Sequence, residues 1–326
     1  MRLMQPRGPV SERVFAHMLR GLGEGTVDIP AQMRADASAL TDDDLQIALW
    51  ALYELHYRGF ADVEDRMEWD PQLIAVRARL ESVFEQAVRD LVGPSVARAE
   101  EQDGFQAALE AVIADVEGPS VAVYLQQEAT EDQYLEFLTL RSIYHLKESD
   151  PHAFVLPRLT GGAKVALAEL QYDEFGAGRP DRLHQELFSR TLRGAGLDDE
   201  YGAYIELIPA STLAANNVMS LFGLHRRLRG AAMGHLAAFE TTSSLPCRKY
   251  AQGGDRLGFS SEVTQYFDEH VEADAVHEHL AARDICGTLA EDEPDQAAEI
   301  LFGAFTCLDL EARFASALLT TWAATR

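Results

Sequence analysis

The sequence predicts an all-α protein, and three observations carry that prediction. Nearly every long segment repeats its apolar residues with a helical period. No stretch alternates apolar and polar residues as a half-buried strand would. Helix start and stop signals recur along the whole chain. At 326 residues and 47% hydrophobic, the chain can also bury a sizeable core.

Residues 1–130 read as a helical region without evident chemistry, packed on the C-terminal bundle. Thr41-Asp42-Asp43-Asp44 supplies an N-terminus for the apolar run from Leu45 to Tyr53. Asp70-Pro71 opens a helix expected to end near Leu91, because Gly93-Pro94 comes next. Between these helices Asp62, Glu64, Asp65, Glu68 and Asp70 read as a solvated acidic face.

Residues 131–326 read as the bundle that holds the chemistry. Ser149-Asp150-Pro151 closes one helix and starts another, and Gly176 to Pro180 forms a turn. One long helix is expected from Tyr204 to about Thr242. Its Gly230-Ala-Ala-Met-Gly234 segment is small enough to let a second helix approach closely. A last amphipathic helix spans about Asp295 to Ala324.

The net charge of −25, from 28 basic and 53 acidic residues, argues against nucleic acid and anionic membranes as partners. The one dense basic cluster, His225-Arg-Arg-Leu-Arg229, is expected to pair with surplus acids. No run of about 18 apolar residues suggests a membrane span. Met1 to Val10 has no apolar core of the signal-peptide kind. Cys247, Cys286 and Cys307 are too few and too unpatterned for a disulfide framework. The expectation is a cytoplasmic protein acting on a small molecule, with a homodimer as a compatible assembly.

The chemistry concentrates in His270-x3-Asp274-x2-His277. At about 100° per residue, these side chains fall within roughly 60° of one another on a helix. Two imidazoles and a carboxylate on one stripe form a mixed N and O donor set suited to iron, manganese or zinc. Three further residues precede the stripe at longer range. Glu174 stands in Gln171-Tyr-Asp-Glu-Phe-Gly-Ala-Gly178, and His184 in Arg182-Leu-His-Gln-Glu-Leu-Phe188. Glu240 ends His235-Leu-Ala-Ala-Phe-Glu240, thirty residues before His270.

In order, residue type and gaps, this set resembles the haem-oxygenase-like di-iron oxidases and oxygenases. The segment from Asp173 to His184 is also similar to their actinobacterial branch of iron-containing redox enzymes. The resemblance implies a haem-oxygenase-like helical bundle, to which residues 1–130 are an addition. It implies two Fe(II) ions, or a manganese–iron pair, held by Glu174, His184, Glu240, His270, Asp274 and His277. Glu240 is then the expected bridge. Some members add a Glu from the preceding helix, which makes Glu148 a further candidate, and Tyr172 or Tyr266 would be a nearby oxidisable side chain. O2 would be the co-substrate. The organic substrate would be an amino-acid-like amine or a fatty acid, undergoing N-oxygenation, desaturation or C–C cleavage. The alternative is a non-catalytic helical metal-binding or ligand-binding module.

Overall fold

A computed structural model describes residues 1–21, 26–29, 33–114 and 120–324, with 272–276 described by backbone alone. Among the described residues there is no strand. The helices are, in chain order, α1 (Pro9–Arg20), α2 (Asp43–Glu54), α3 (Pro71–Ala99), α4 (Phe105–Ala114), α5 (Val121–Gln127), α6 (Glu131–His145) and α7 (Asp150–Ala153). After them come α8 (Gly161–Glu174), α9 (His184–Gly194), α10 (Ala210–Leu224), α11 (Arg229–Leu257), α12 (Ser261–His279), α13 (Thr288–Asp292) and α14 (Ala297–Ala324). A π-helical stretch, Leu280–Gly287, continues α12.

The starts of the helices depend on side chains that satisfy their orphan amides. Asp42 accepts from the amides of Asp44 and Leu45 to begin α2. Asp70 does the same for Gln72 and Leu73, with Pro71 at the first position of α3. Thr130 and Gln133 form a reciprocal capping box on α6.

Two prolines fail to stop the helices that hold them. Pro94 lies inside α3, which runs on to Ala99. Pro246 lies inside α11, so Glu240 sits well within a helix and not near its end. A proline removes one ladder bond, and flanking burial can outweigh that loss. Here Val92 and Ala99 in α3, and Cys247 and Ala251 in α11, are buried around the proline turns.

Conversely, the single helix expected from Tyr204 to Thr242 is two. His225 is extended (φ −106°, ψ 114°) between α10 and α11. The break turns the basic cluster toward acids of α3 and the α13–α14 link. His225 Nε2 lies 3.0 Å from Glu81, Arg227 forks onto Glu85, and Arg229 pairs with Glu293. The cluster therefore pairs with acids as expected. The acidic run before α3 is only partly a solvated face. Asp70 is buried, capping α3 and standing 3.3 Å from His17.

The apolar core is continuous from Met4 to Trp322, so α2 and α3 share it with the C-terminal helices. Its axis is the crossing of α11 and α14, where two backbones nearly touch. A Cβ at Gly234 would lie 1.8 Å from the Ile300 carbonyl oxygen, and one at Gly303 would lie 1.9 Å from that of Ala231. The close helix approach expected at Gly230–Gly234 is thus present. Gly234→Ala must push rigid backbone apart and is expected to cost about 3 kcal/mol, at the upper end for overpacking. Gly93, also helical, has nothing within 4 Å of its added Cβ, so Gly93→Ala should be neutral or stabilise by about 0.5–1 kcal/mol. Urea unfolding of the two variants checks the contrast. No described helix is long and apolar enough to cross a membrane.

Candidate metal centre

The first carboxylate comes from a turn. After α6 ends at His145, residues Leu146 to Ser149 leave the helix, and every one of them is pinned from elsewhere. Arg58 donates to the Leu146 carbonyl (2.8 Å), and Lys147 Nζ donates to Glu54 (3.3 Å) inside the core. Gln185 Nε2 donates to the Glu148 carbonyl (2.9 Å), and the Ser149 hydroxyl donates to Glu174 Oε2 (2.9 Å). Ser149 adopts φ 66°, a left-handed conformation that non-glycine residues avoid and that surrounding contacts must hold. The result is a buried Glu148 side chain pointing among the histidines of α9 and α12.

Glu174 and His184 are brought together by the link between α8 and α9. Gly176, Ala177 and Gly178 all have positive φ (81°, 52° and 79°), which reverses the chain within three residues. A Cβ at Gly176 would lie 2.3 Å from the Arg179 carbonyl oxygen, so only glycine fits this reversal. Glu174 at the last turn of α8 then faces His184 at the first turn of α9, with Oε2 3.1 Å from Nδ1. Glu174 is buried, while its neighbour Asp173 is 44% exposed in its side chain and lies behind His277, 3.7 Å from Nε2.

Helices α11 and α12 form a hairpin closed by Gly258 in the left-handed region (φ 84°). Glu240 and His277 stand at similar distances from that turn and meet, with 3.5 Å between Glu240 Oε2 and His277 Nδ1. The same Nδ1 is 3.4 Å from Glu174 Oε1. Nearer the hairpin tip, His270 Nδ1–H donates to the Tyr266 carbonyl (2.8 Å), and its Nε2 faces Glu148 at 3.7 Å. Asp274, on the same stripe, has a side chain outside the described residues.

The outcome is two buried groups of three ligand atoms, each group within 4.8 Å: Glu148, His184 and His270, and Glu174, Glu240 and His277. Glu148 therefore joins the cluster. Glu174, not Glu240 as expected, lies between the groups, touching His184 with one oxygen and His277 with the other.

The electrostatics are those of acids and imidazoles forced together out of water. Burial pushes His270 down, but the Glu148 carboxylate and then Glu174 outweigh it and carry His270 up to about 10. His277 behaves alike, with burial opposed by Glu240 and Glu174, and reaches about 9. Burial raises Glu148, yet His270 and His145 beside it hold its carboxyl well below the usual range. For Glu240 burial prevails, and its pKa is raised.

These residues fit a pair of divalent ions. His184 Nδ1 is buried and makes no acceptable hydrogen bond although a carboxylate oxygen is 3.1 Å away, so its lone pair is placed for a cation. Two imidazoles with one carboxylate, as in the first group, suit ferrous iron with open positions. Around them stand groups that the sequence marks only weakly. Tyr266 donates to Glu148 Oε2 (2.7 Å) and accepts from His145 Nδ1 (2.6 Å). Both lie one turn from a ligand, at i−4 from His270 and i−3 from Glu148, and that spacing is their signal in the sequence. Tyr172, in contrast, is 58% exposed, with its hydroxyl on the Ala177 carbonyl. Tyr266→Phe frees Glu148 to reorient, and is expected to weaken metal binding at the first group by about 10- to 100-fold. Competition with a chromophoric chelator measures that loss.

The model of the iron-containing redox enzyme family matches residues 135–312, more than half of the chain. A nitrosourea synthase of Streptomyces achromogenes subsp. streptozoticus is 32% identical over 153 residues. The aligned stretch is 46% of this chain and 32% of that protein, so this chain spans about a third of the relative it matches.

Proposed function

We propose that this chain, which belongs to the iron-containing redox enzyme family, is a non-haem di-iron oxidase or oxygenase acting on a small organic molecule. The observation that carries the reading is the pair of buried ligand groups joined through Glu174. Glu148, His184 and His270 would hold one ion, and Glu174, Glu240 and His277 the other. Bound iron would supply the binding and activation of O2.

The chain's own contributions are positional. Tyr266 and Ser149 fix the carboxylates of Glu148 and Glu174 by hydrogen bonds. The Tyr266 carbonyl fixes the His270 ring so that Nε2 faces the cluster. Burial of all six side chains keeps bulk water from the reacting centre. The substrate would be an amino-acid-like amine or a fatty acid. The relative's name denotes a product with an oxidised nitrogen, which favours N-oxygenation over desaturation or C–C cleavage.

Anaerobic Fe(II) titration followed by exposure to O2 tests the reading. The expected result is two irons per chain, with O2 uptake and a visible absorbance change that both disappear in His270→Ala. Absence of stoichiometric iron binding would sink the proposal in favour of a non-catalytic binding module.

A further inference from the structure

Lys147 and Glu148 are neighbours in the chain, yet their side chains go to different places. Glu148 stands with His184 and His270 in the candidate centre, and Lys147 runs into the N-terminal region. There its buried ammonium lies 3.3 Å from Glu54 Oε2. The rings of Tyr57, Trp50 and Tyr201 stand around it, with centroids at 4.1, 5.9 and 5.8 Å. Aromatic faces at such distances attract a cation that has left water. Glu54, buried at the last position of α2, is itself fixed. The Tyr201 hydroxyl donates to its Oε2 (2.8 Å), and the Arg58 amide donates to its Oε1 (3.2 Å).

Arg58 makes a second tie from the same region. Its Nη2 donates to the Leu146 carbonyl (2.8 Å) and to Gln185 Oε1 (2.6 Å), and its guanidinium lies 4.6 Å from the Tyr201 ring centroid. Gln185 Nε2 carries the tie onward to the Glu148 carbonyl (2.9 Å) and to Asp150 (3.0 Å). Gln185 also follows His184 directly. Two of the three ligands of the first group therefore adjoin residues anchored on the end of α2. The contacts of Glu174, Glu240 and His277 run instead to Ser149, Asp173, His184 and one another, all beyond residue 130.

Stability alone does not account for the buried Lys147–Glu54 pair. Taking both charges out of water costs much of what their attraction returns, and apolar residues of similar size often serve a core as well or better. Such a pair instead selects one arrangement, because each charge has a single partner in an apolar surround. Here the arrangement selected is that of the turn that presents Glu148.

We infer that Glu54, Lys147 and Arg58 are positioning residues for the first ligand group, so that the N-terminal region completes the site of one ion and not of the other. The inference rests on the reading of the cluster as a two-ion centre. Mn(II) titration of the wild type, of the double variant Glu54→Leu/Lys147→Met and of Arg58→Met, followed by electron paramagnetic resonance and by melting of the metal-free proteins, tests it. The wild type should take up two ions and give the spectrum of a spin-coupled pair. The double variant should melt close to the wild type, since the charges leave together. It should bind one ion about 10- to 100-fold more weakly and the other within about threefold of wild type, the scale of a lost outer-shell support. Its spectrum at intermediate Mn(II) is then that of an isolated ion. Arg58→Met, with a side chain 42% exposed and so open to replacement, should show the same selective loss at about tenfold. It decides the matter should the double variant not fold. Variants that keep both ions and the coupled spectrum, or that lose both ions equally, would overturn the inference while leaving the two-ion centre intact. A wild type that takes up no second ion would refute the two-ion reading and this inference with it.

Discussion

Glu174→Ala is expected to lower bound iron from two per chain to less than one, whereas Glu240→Ala should retain one. The difference comes from position. Glu174 offers one oxygen to His184 and the other to His277, so its removal takes an anionic ligand from both groups at once. It also strands the Ser149 hydroxyl, whose acceptor is Glu174 Oε2. Glu240 meets the second group alone, through His277. Loss of either carboxylate leaves the second group with one carboxylate and one imidazole, and affinity falls tenfold for every 1.4 kcal/mol, roughly, of attraction removed. Colorimetric iron counting after desalting, on wild type and both variants, gives the answer. If Glu174→Ala holds one ion and Glu240→Ala none, the bridging role belongs to Glu240.

How much of the centre is legible in the sequence depends on how its residues are held. His270 and His277 lie on one uninterrupted helix, so periodicity alone places them on a common face. Glu174 and His184 meet through three consecutive positive-φ residues, a reversal that no helical wheel describes. Glu148 sits in a non-helical turn whose position depends on Glu54 and Arg58 from the N-terminal region. That contact is long-range, and no local pattern announces it. The same limit explains the misplaced helix ends. Pro94 and Pro246 are strong local stops, but burial on either side carries both helices past them. The break at His225 has no proline, the nearby Gly223 still lies within α10, and the break shows only once Glu81 and Glu85 are seen to draw the basic cluster away. Asp70 reads as one member of a solvated run because its partner His17 lies far upstream.

Metal affinity should rise steeply with pH while the stability of the metal-free protein falls over the same range. In the metal-free state His270 and His277 have pKa values of about 10 and about 9, first lowered by burial and then raised further by Glu148, Glu240 and Glu174. An unfolded histidine titrates near about 6.5. Between that value and the folded ones, the native chain therefore binds more protons than the unfolded chain. The stability these two histidines contribute is fully present below pH of about 6.5 and is lost as pH rises through about 9 to 10. A bound ion needs the imidazole lone pairs that these protons occupy, so loading releases at least two protons per chain. Apparent affinity should then climb by about tenfold per pH unit for each ion, roughly 100-fold for the pair together, from roughly pH 7 to 9, flattening above. Chelator-buffered Mn(II) titrations across that range, with melting curves of metal-free protein in the same buffers, measure both limbs. The two slopes must have opposite signs, since the same protons that neutralise Glu148, Glu174 and Glu240 in the empty cluster compete with the metal for it. An affinity that does not change with pH would mean that the ion binds elsewhere than at His270 and His277.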